Sequence, residues 1–450
     1  MPKRTEANRK TNIGVARAVP VFLLGIIGYA SWVFTKLICV DYLISPPASI
    51  LARPQRGSAI IILVIYYILL VVLLISFGRL LDTVVRRPGL IPHGPQWYVE
   101  QSRQKSKHGR RSRSTSRSEG EKSKGADLTD AKMPKEMRYL ASESLPFKVE
   151  EFWLRDVFVC NPDGRPPFCS TCYNWKPDRS HHCSEVNRCV LKLDHFCPWV
   201  GGVVSETSFK FFIQFIFYGA LFTLHLLVVT AYFFAQRRQE SNFLNAHWIV
   251  LLALAGLFFL FSGGMCMSSC QFAFINSSTI ENLDRKTKVW SLAVYTSPRV
   301  LEEAREKNIE LRLISYPRPP DEQLHMLQQP GASDISGAEA QAPSSSTATR
   351  SYRTFAILET EPGANPFDIG PLANFQEIMG MTIWEWLSPI KPSPCLKHDD
   401  STSLYKLGPV VDELKANTGL ETWSSHTSQR SRRRKSRVRS ESTAQSDRHA

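Results

Sequence analysis

The chain's most informative stretch reads Phe168-Cys169-Ser-Thr-Cys172-Tyr-Asn-Trp-Lys-Pro-Asp-Arg179-Ser-His181-His182-Cys183-Ser-Glu-Val186-Asn-Arg188-Cys189, followed by Asp194-His195-Phe196-Cys197-Pro198-Trp199. Five of the ten cysteines of the 450-residue chain fall between Cys169 and Cys197. A Cys-x2-Cys pair followed by a His-Cys pair is metal-ligand spacing. Cys169, Cys172, His182 and Cys189 offer three thiolates and one imidazole, a complete tetrahedral set for structural zinc, a borderline-soft ion that such donors suit. In an oxidising compartment the same cysteines would read as disulfides, so the side of a membrane on which they lie decides their chemistry.

Outside this stretch the apolar residues gather into four runs, at 19 to 40, 59 to 77, 211 to 235 and 248 to 275. Each approaches or exceeds the roughly 20 residues needed to cross a hydrocarbon core. Lys3, Arg4, Arg9, Lys10 and Arg17 precede the first run, Arg79, Arg86 and Arg87 follow the second, and Arg285, Lys286 and Lys288 follow the fourth. The connectors 41 to 58 and 236 to 247 carry only two basic residues each. This bias places both termini and the long 78 to 210 loop in the cytosol, where thiols stay reduced. The first 18 residues lack a short apolar core followed by small residues at a cleavage site, so the first run is expected to remain as an anchor. The expected fold is a mainly α, multi-pass membrane protein. Its four transmembrane helices flank a cytosolic zinc-binding cysteine-rich domain between helices 2 and 3.

Lys36, Gln214, His225, Ser262, Ser268, Ser269 and Gln271 interrupt the apolar runs. Snorkelling or hydrogen bonding between helices is the expected role of each. No paired ionisable residues stand at mid-membrane depth and no inverted repeat is visible, which argues against a transporter. The formal charge of +14 sits in two tracts, 101 to 125 and 430 to 440. Both are rich in Arg and Ser and poor in large apolar side chains, and are expected to be disordered. Attraction to anionic lipid is their expected role, and four spans argue against nucleic acid as a partner.

Cys197 lies beyond the four-ligand set. In extended backbone, His195 and Cys197 point to the same side, two residues apart, which brings an imidazole to a thiol. The imidazole would withdraw the thiol proton, and Asp194 would fix its tautomer. Spacing alone equally allows His195 or Cys197 to be a further zinc ligand.

The stretch from Cys169 to about Phe212 resembles the DHHC cysteine-rich domain of protein palmitoyltransferases. The resemblance rests on Lys176-Pro177-x-Arg179, His182-Cys183-Ser184, Asn187-Arg188-Cys189-Val190, Asp194-His195-x-Cys197-Pro198-Trp199-Val200 and Phe209-Lys210-Phe211-Phe212. It extends to the four-span layout, to Ser278-Thr279-Ile280-Glu281, similar to the family's Thr-Thr-x-Glu, and to Asn365-Pro366-Phe367-Asp368. It is nearest to the fungal protein fatty acyltransferase five branch, which carries the same Asp-His-Phe-Cys variant.

The resemblance implies two zinc ions, yet three of four ligands of the second are missing. Val186 and Val203 stand where cysteines are expected, Phe196 replaces the second signature histidine, and Gly201-Gly202 replaces an Asn-Asn pair. Only Cys183 remains. Three apolar replacements at one site predict a small hydrophobic cluster in place of the metal, hence one zinc.

The mechanism implied is ping-pong thioester exchange. Cys197 attacks palmitoyl-CoA with His195 as base and Asp194 orienting it, and a cysteine of a cytosolic or membrane-associated protein then takes the chain. The acyl chain is expected among the four helices. Arg285, Lys286 and Lys288 are placed either to meet coenzyme A phosphates or only to set topology. Glu281 is expected to be an architectural hydrogen-bond acceptor, and Asn365 and Phe367, with Trp384 and Trp386, a cytosolic element packed on the helices. A zinc-stabilised scaffold without catalysis is the rival function. The expected order is a cytosolic N-terminus at 1 to 18, a loop at 78 to 155, the cysteine-rich domain at 156 to 210 and a cytosolic C-terminal region at 276 to 450. An endomembrane or the plasma membrane would hold the protein.

Overall fold

A computed structural model describes residues 6–46, 54–101, 147–240, 245–317 and 352–423, together with residues 103 and 145. The basic tracts at 101 to 125 and 430 to 440 lie almost wholly outside the described residues. The chain divides into two compact units: Met1–Phe147, Phe168–Asp284 and Gly370–His398 form the first, and Lys148–Pro167, Arg285–Ile369 and Asp399–Ala450 the second.

In the first unit, α1 (Glu6–Trp32) continues as a π-helix through Val33–Ile44. It is joined by α2 (Arg56–Arg86), α3 (Phe209–Glu240) and α4 (Ala246–Phe274). These four are long and apolar enough to cross a membrane. All outrun the apolar runs at one end or both, because helical hydrogen bonding continues into flanking polar turns such as Arg79–Arg86. Large apolar side chains on the bundle's outside, among them Ile61, Ile68 and Val228, stay exposed, as in a protein whose solvent there is lipid. Inside, Phe34 stacks on Tyr66, and Trp248 and Leu251 are fully buried.

Several polar residues of the spans find partners within the protein, although among the described residues His225 Nε2 and Gln214 Oε1 are buried without a hydrogen-bond partner. Lys36 pairs with Asp41 at 2.7 Å, and Ser262 Oγ donates to the Phe258 carbonyl. Gln214 Nε2 donates to the Trp386 and Ser388 carbonyls at 2.8 and 3.1 Å.

Between α2 and α3 the cysteine-rich segment folds into three two-stranded hairpins. Strand β2 (Phe168–Cys169) pairs with β3 (Asn174–Trp175), β4 (His181–Cys183) with β5 (Arg188–Val190), and β6 (His195–Cys197) with β7 (Gly202–Val204). The segment that leaves α2 staples the first two hairpins. Leu191 N–H bonds the Gly89 carbonyl, Ile91 N–H the Cys189 carbonyl, and Gly94 N–H the Cys172 carbonyl. A Cβ on Gly94 would overlap the Tyr173 carbonyl, so only glycine permits that approach.

The second unit holds a four-stranded antiparallel sheet in the order β1-β8-β10-β9, made of β1 (Val157–Cys160), β8 (Ser291–Tyr295), β9 (Leu313–Tyr316) and β10 (Arg353–Glu359). Helices α5 (Pro298–Glu306) and α8 (Pro409–Asn417) contribute Val300, Ala304 and Val411 to the core on one face of the sheet. Phe158, Tyr316 and Phe355 form a second core. The sequence reading treated these residues otherwise. Residues 156 to 167 cluster with this unit, because β1 pairs with β8. Asn365 and Phe367 also belong here, Phe367 being buried against Trp290 and Tyr405.

Two further helices of the first unit, α6 (Pro371–Met379) and α7 (Ile383–Leu387), close over the end of α4. Asn374 Nδ2 donates to the Phe274 carbonyl at 2.8 Å, and Phe375 stacks on Phe274.

Candidate active site and metal centre

The donor atoms of Cys169, Cys172, His182 and Cys189 lie within 4.8 Å of one another. His182 Nδ1 is 3.5, 3.3 and 3.9 Å from the sulfurs of Cys169, Cys172 and Cys189. A tetrahedral ion with Zn–S near 2.3 Å and Zn–N near 2.0 Å separates sulfur and nitrogen donors by about 3.5 Å, so the cage fits zinc. The hydrogen bond from Cys189 holds the Cys172 thiol low, while the Cys189 thiol is pushed up by the same contact and by burial. Two neighbouring sulfurs cannot both carry charge cheaply unless a cation sits between them. His93, stacked on Trp97 with ring centroids 3.8 Å apart, hydrogen-bonds Cys172 from outside. Sequence reading missed His93, since a lone histidine after a helix carries no spacing signal.

The apolar substitutions expected at the second metal site do meet. Cys183, Val190, Leu193 and Val203 are buried together, with Val186, Phe196, Leu90 and Ile280 packed around them. Phe196 and Val203 face each other as register partners across the β6–β7 hairpin. Burial pushes the Cys183 thiol up to about 11, so it behaves as a small apolar side chain.

Strand β6 places His195 and Cys197 on one face, as alternation requires, and Asp194 precedes it. Asp194 Oδ2 is 2.7 Å from His195 Nδ1, and the imidazole hydrogen-bonds the Cys197 thiol. Asp194 is held in turn. Its Oδ1 accepts the Thr279 N–H at 2.8 Å, and the Thr279 hydroxyl donates to its carbonyl. Burial draws the His195 imidazole down, but the hydrogen bonds and charges of Asp194 and Cys197 outweigh it and lift the group to about 9. The raised value favours the protonated ring.

Thr279 sits where it does because of a buried ion pair. Arg179 Nε and Nη2 donate to Glu281 at 2.8 and 2.5 Å, and its remaining donors reach Asn276 Oδ1 and the Asn276 carbonyl at 2.8 Å. Lys192 Nζ also donates to Asn276 Oδ1 at 3.0 Å. Glu281 accepts the Ser278 N–H as well, which closes the turn carrying Thr279. Glu281 is thus the acceptor expected, whereas Asn276 and Lys192 went unnoticed.

Cys197 also lines a cleft between the four helices, with Trp199, Phe212, Leu226, Leu251 and Met265 among its walls. Its hydroxyls are turned away, Thr223 Oγ1 to the Gly219 carbonyl and Ser262 Oγ to the Phe258 carbonyl. Phe212 and Leu226 are fourteen residues apart on α3, about 21 Å along the axis. An apolar cleft of that depth lined at one end by a cysteine suits a long acyl chain.

Residues 163–286 match the family model described as DHHC palmitoyltransferase. The chain is 44% identical to palmitoyltransferase pfa5 of Aspergillus fumigatus over 93% of either protein. It is 41% identical to palmitoyltransferase pfa5 of Emericella nidulans, over 93% of this chain and 88% of the relative. Palmitoyltransferase PFA3 of Yarrowia lipolytica is 29% identical over 52% of this chain and 48% of its own. The chain belongs to the DHHC palmitoyltransferase family and is a protein S-palmitoyltransferase. Within it, the two full-length relatives place the chain in the fungal PFA5 branch. A scaffold without catalysis is not favoured.

Proposed function

We propose that Cys197 is the nucleophile that accepts the palmitoyl group. The observation that carries this reading is its position, hydrogen-bonded to His195 and opening into the apolar cleft. The Cys197 sulfur adds to the thioester carbonyl of palmitoyl-CoA, the carbon–sulfur bond to coenzyme A breaks, and the coenzyme A thiolate leaves with the proton held by His195. A thiol of a protein substrate then attacks the acyl-enzyme, its proton passing to His195 as Cys197 is expelled. One thioester replaces another, so positioning and not bond energy supplies the acceleration. Burying the chain contributes about 0.8 kcal/mol per methylene and keeps the acyl group beside the sulfur.

Asp194 orients His195, and Cys169, Cys172, His182 and Cys189 hold one structural zinc ion, which when bound fixes the hairpins and takes no part in transfer. The four helices cross an endomembrane or the plasma membrane, with both termini and the 78 to 210 loop cytosolic. Substrates are cytosolic or membrane-associated proteins with accessible cysteines. Arg285 and Lys286 are available to coenzyme A phosphates, whereas Lys288 is engaged over the Trp290 ring at 3.9 Å.

Purified protein in vesicles, given palmitoyl-CoA and a cysteine-bearing acceptor peptide, tests this reading. Wild type should transfer the chain and Cys197→Ala should not. Equal transfer by both would remove Cys197 from the chemistry.

A further inference from the structure

The ten residues after Gly380 combine an apolar exterior with a backbone fastened to the transmembrane helices. Met381, Ile383, Trp384 and Ile390 are 68%, 64%, 81% and 74% exposed, and Leu387 is also outward. Trp386, by contrast, turns inward, its Nε1 donating to the Gly380 carbonyl and its ring meeting Phe375 edge-on. Scattered apolar residues on a surface need no explanation, but five in ten consecutive positions do.

Their neighbours fix the depth. Tyr218 OH donates to the Leu387 carbonyl at 2.7 Å, and Tyr218 lies nine residues into α3, about 13 Å along it. Gln214, one turn earlier, takes the Glu385, Trp386 and Ser388 carbonyls. Arg79 reaches the Ile390 carbonyl, and Arg79 stands one turn beyond Ile75, among the last lipid-exposed apolar residues of α2. Thr382 and Glu385 form a reciprocal capping box that satisfies the start of α7. Non-regular backbone is tolerated at membrane depth only where its polar groups are met by protein, and here they are.

We propose that Met381–Ile390 is an interfacial wedge. Its face of Met381, Ile383, Trp384, Leu387 and Ile390 is inserted at the boundary between headgroups and acyl chains of the cytosolic leaflet. The occupant of this face is the lipid bilayer, because the patch continues the lipid-facing surface of α2 and α3 and is edged by Arg79 and the Lys391–Glu385 pair, charges that belong at headgroup level. Tryptophan is the side chain that favours this boundary. The inference depends on the four helices crossing a membrane and not on the acyl chemistry. It separates the two tryptophans that share this element, assigning Trp384 to lipid and Trp386 to the protein interior.

The full-length protein is reconstituted in phosphatidylcholine vesicles whose acyl chains carry bromine near the glycerol end. Tryptophan emission of wild type is compared with that of Trp384→Phe and of Trp386→Phe. The wild-type minus Trp384→Phe difference spectrum should be blue-shifted, should lose more than half its intensity in brominated vesicles and should resist aqueous iodide. A red difference spectrum, quenched by iodide and indifferent to bromine, would overturn the wedge and leave the face to water or to a protein partner. As a second readout, a photocrosslinking residue at position 383 or 390 should yield adducts of phospholipid mass. Adducts absent at both positions would contradict the proposal equally.

Discussion

Thr279 holds Asp194 with two hydrogen bonds across 85 residues of sequence, one from its N–H and one from its hydroxyl. The pairing joins the segment that bears His195 and Cys197 to the turn after the fourth helix, so the orientation of His195 depends on a residue far from it in the chain. Removing only the hydroxyl, in Thr279→Val, deletes one hydrogen bond worth about 1 kcal/mol. Turnover should fall about fivefold while zinc content stays at wild-type level, and Thr279→Ser should recover it. Asp194→Asn should cost far more, on the order of 10³ to 10⁴, because the amide favours the wrong imidazole tautomer. Initial rates of acyl transfer on zinc-quantified samples check both.

The His195 imidazole is raised from the ordinary 6.5 to about 9 in the folded protein. A raised group contributes stability that is fully present below its unfolded pKa and lost as pH rises through the folded one. The unfolding midpoint in detergent should therefore decline between about pH 6.5 and pH 9. His195→Gln should flatten that decline, and an unchanged slope would contradict the assignment.

Glu281 shows the opposite sign. Burial alone would raise its carboxyl, but the charge and hydrogen bonds of Arg179, then Lys192 and Ser278, depress it from 4.5 to about 2. Its stabilisation is complete above the unfolded value and is lost as pH falls through the folded one, so acid sensitivity should appear between pH 4.5 and pH 2. Glu281→Gln removes the counter-charge of the buried Arg179 and should destabilise by about 3–5 kcal/mol. Arg179→Met combined with Glu281→Leu should recover part of this loss, as measured by thermal unfolding.

One zinc per chain is expected from elemental analysis of purified protein. Cys169→Ser should abolish the zinc and the fold of the hairpins together. Cys183→Ala should keep the zinc, since Cys183 sits in an apolar cluster. Phe196→Ala should also keep it while costing about 2 kcal/mol of stability, because Phe196 fills the space between Val203 and Val186. Two zinc ions per wild-type chain would contradict the hydrophobic replacement.

The meeting of Cys169, Cys172, His182 and Cys189, and of Asp194, His195 and Cys197, was legible because it depends on residue types at short spacings, as in Cys169-x2-Cys172 and His195-x-Cys197. The four helices were legible because crossing a membrane demands a length of apolar sequence. The staple from Gly89 to Gly94 was not legible, since its bonds run through backbone groups that every sequence shares. The Gly201-Gly202 pair read only as a departure from the Asn-Asn pattern. In the structure Gly201 has φ of 71°, and a Cβ on Gly202 would come within 2.6 Å of Val84, so small residues let the hairpin after Cys197 approach α2. The four-stranded sheet escaped notice because its strands are short and drawn from segments as far apart as Val157 and Glu359. Asn374 and Asn365 illustrate the same limit: both lie in similar polar-aromatic surroundings, and only tertiary packing selects Asn374 to bind the end of α4.

The central claim is an acyl-enzyme on Cys197. Intact wild-type protein is mixed with palmitoyl-CoA, quenched in acid within one turnover and digested, and the peptide spanning His195 to Trp199 is weighed before and after hydroxylamine. The account predicts a palmitoyl increment on Cys197 that hydroxylamine removes and that is absent from Cys197→Ser. An unmodified Cys197 in a zinc-loaded wild type that still transfers palmitate to its acceptor would contradict it.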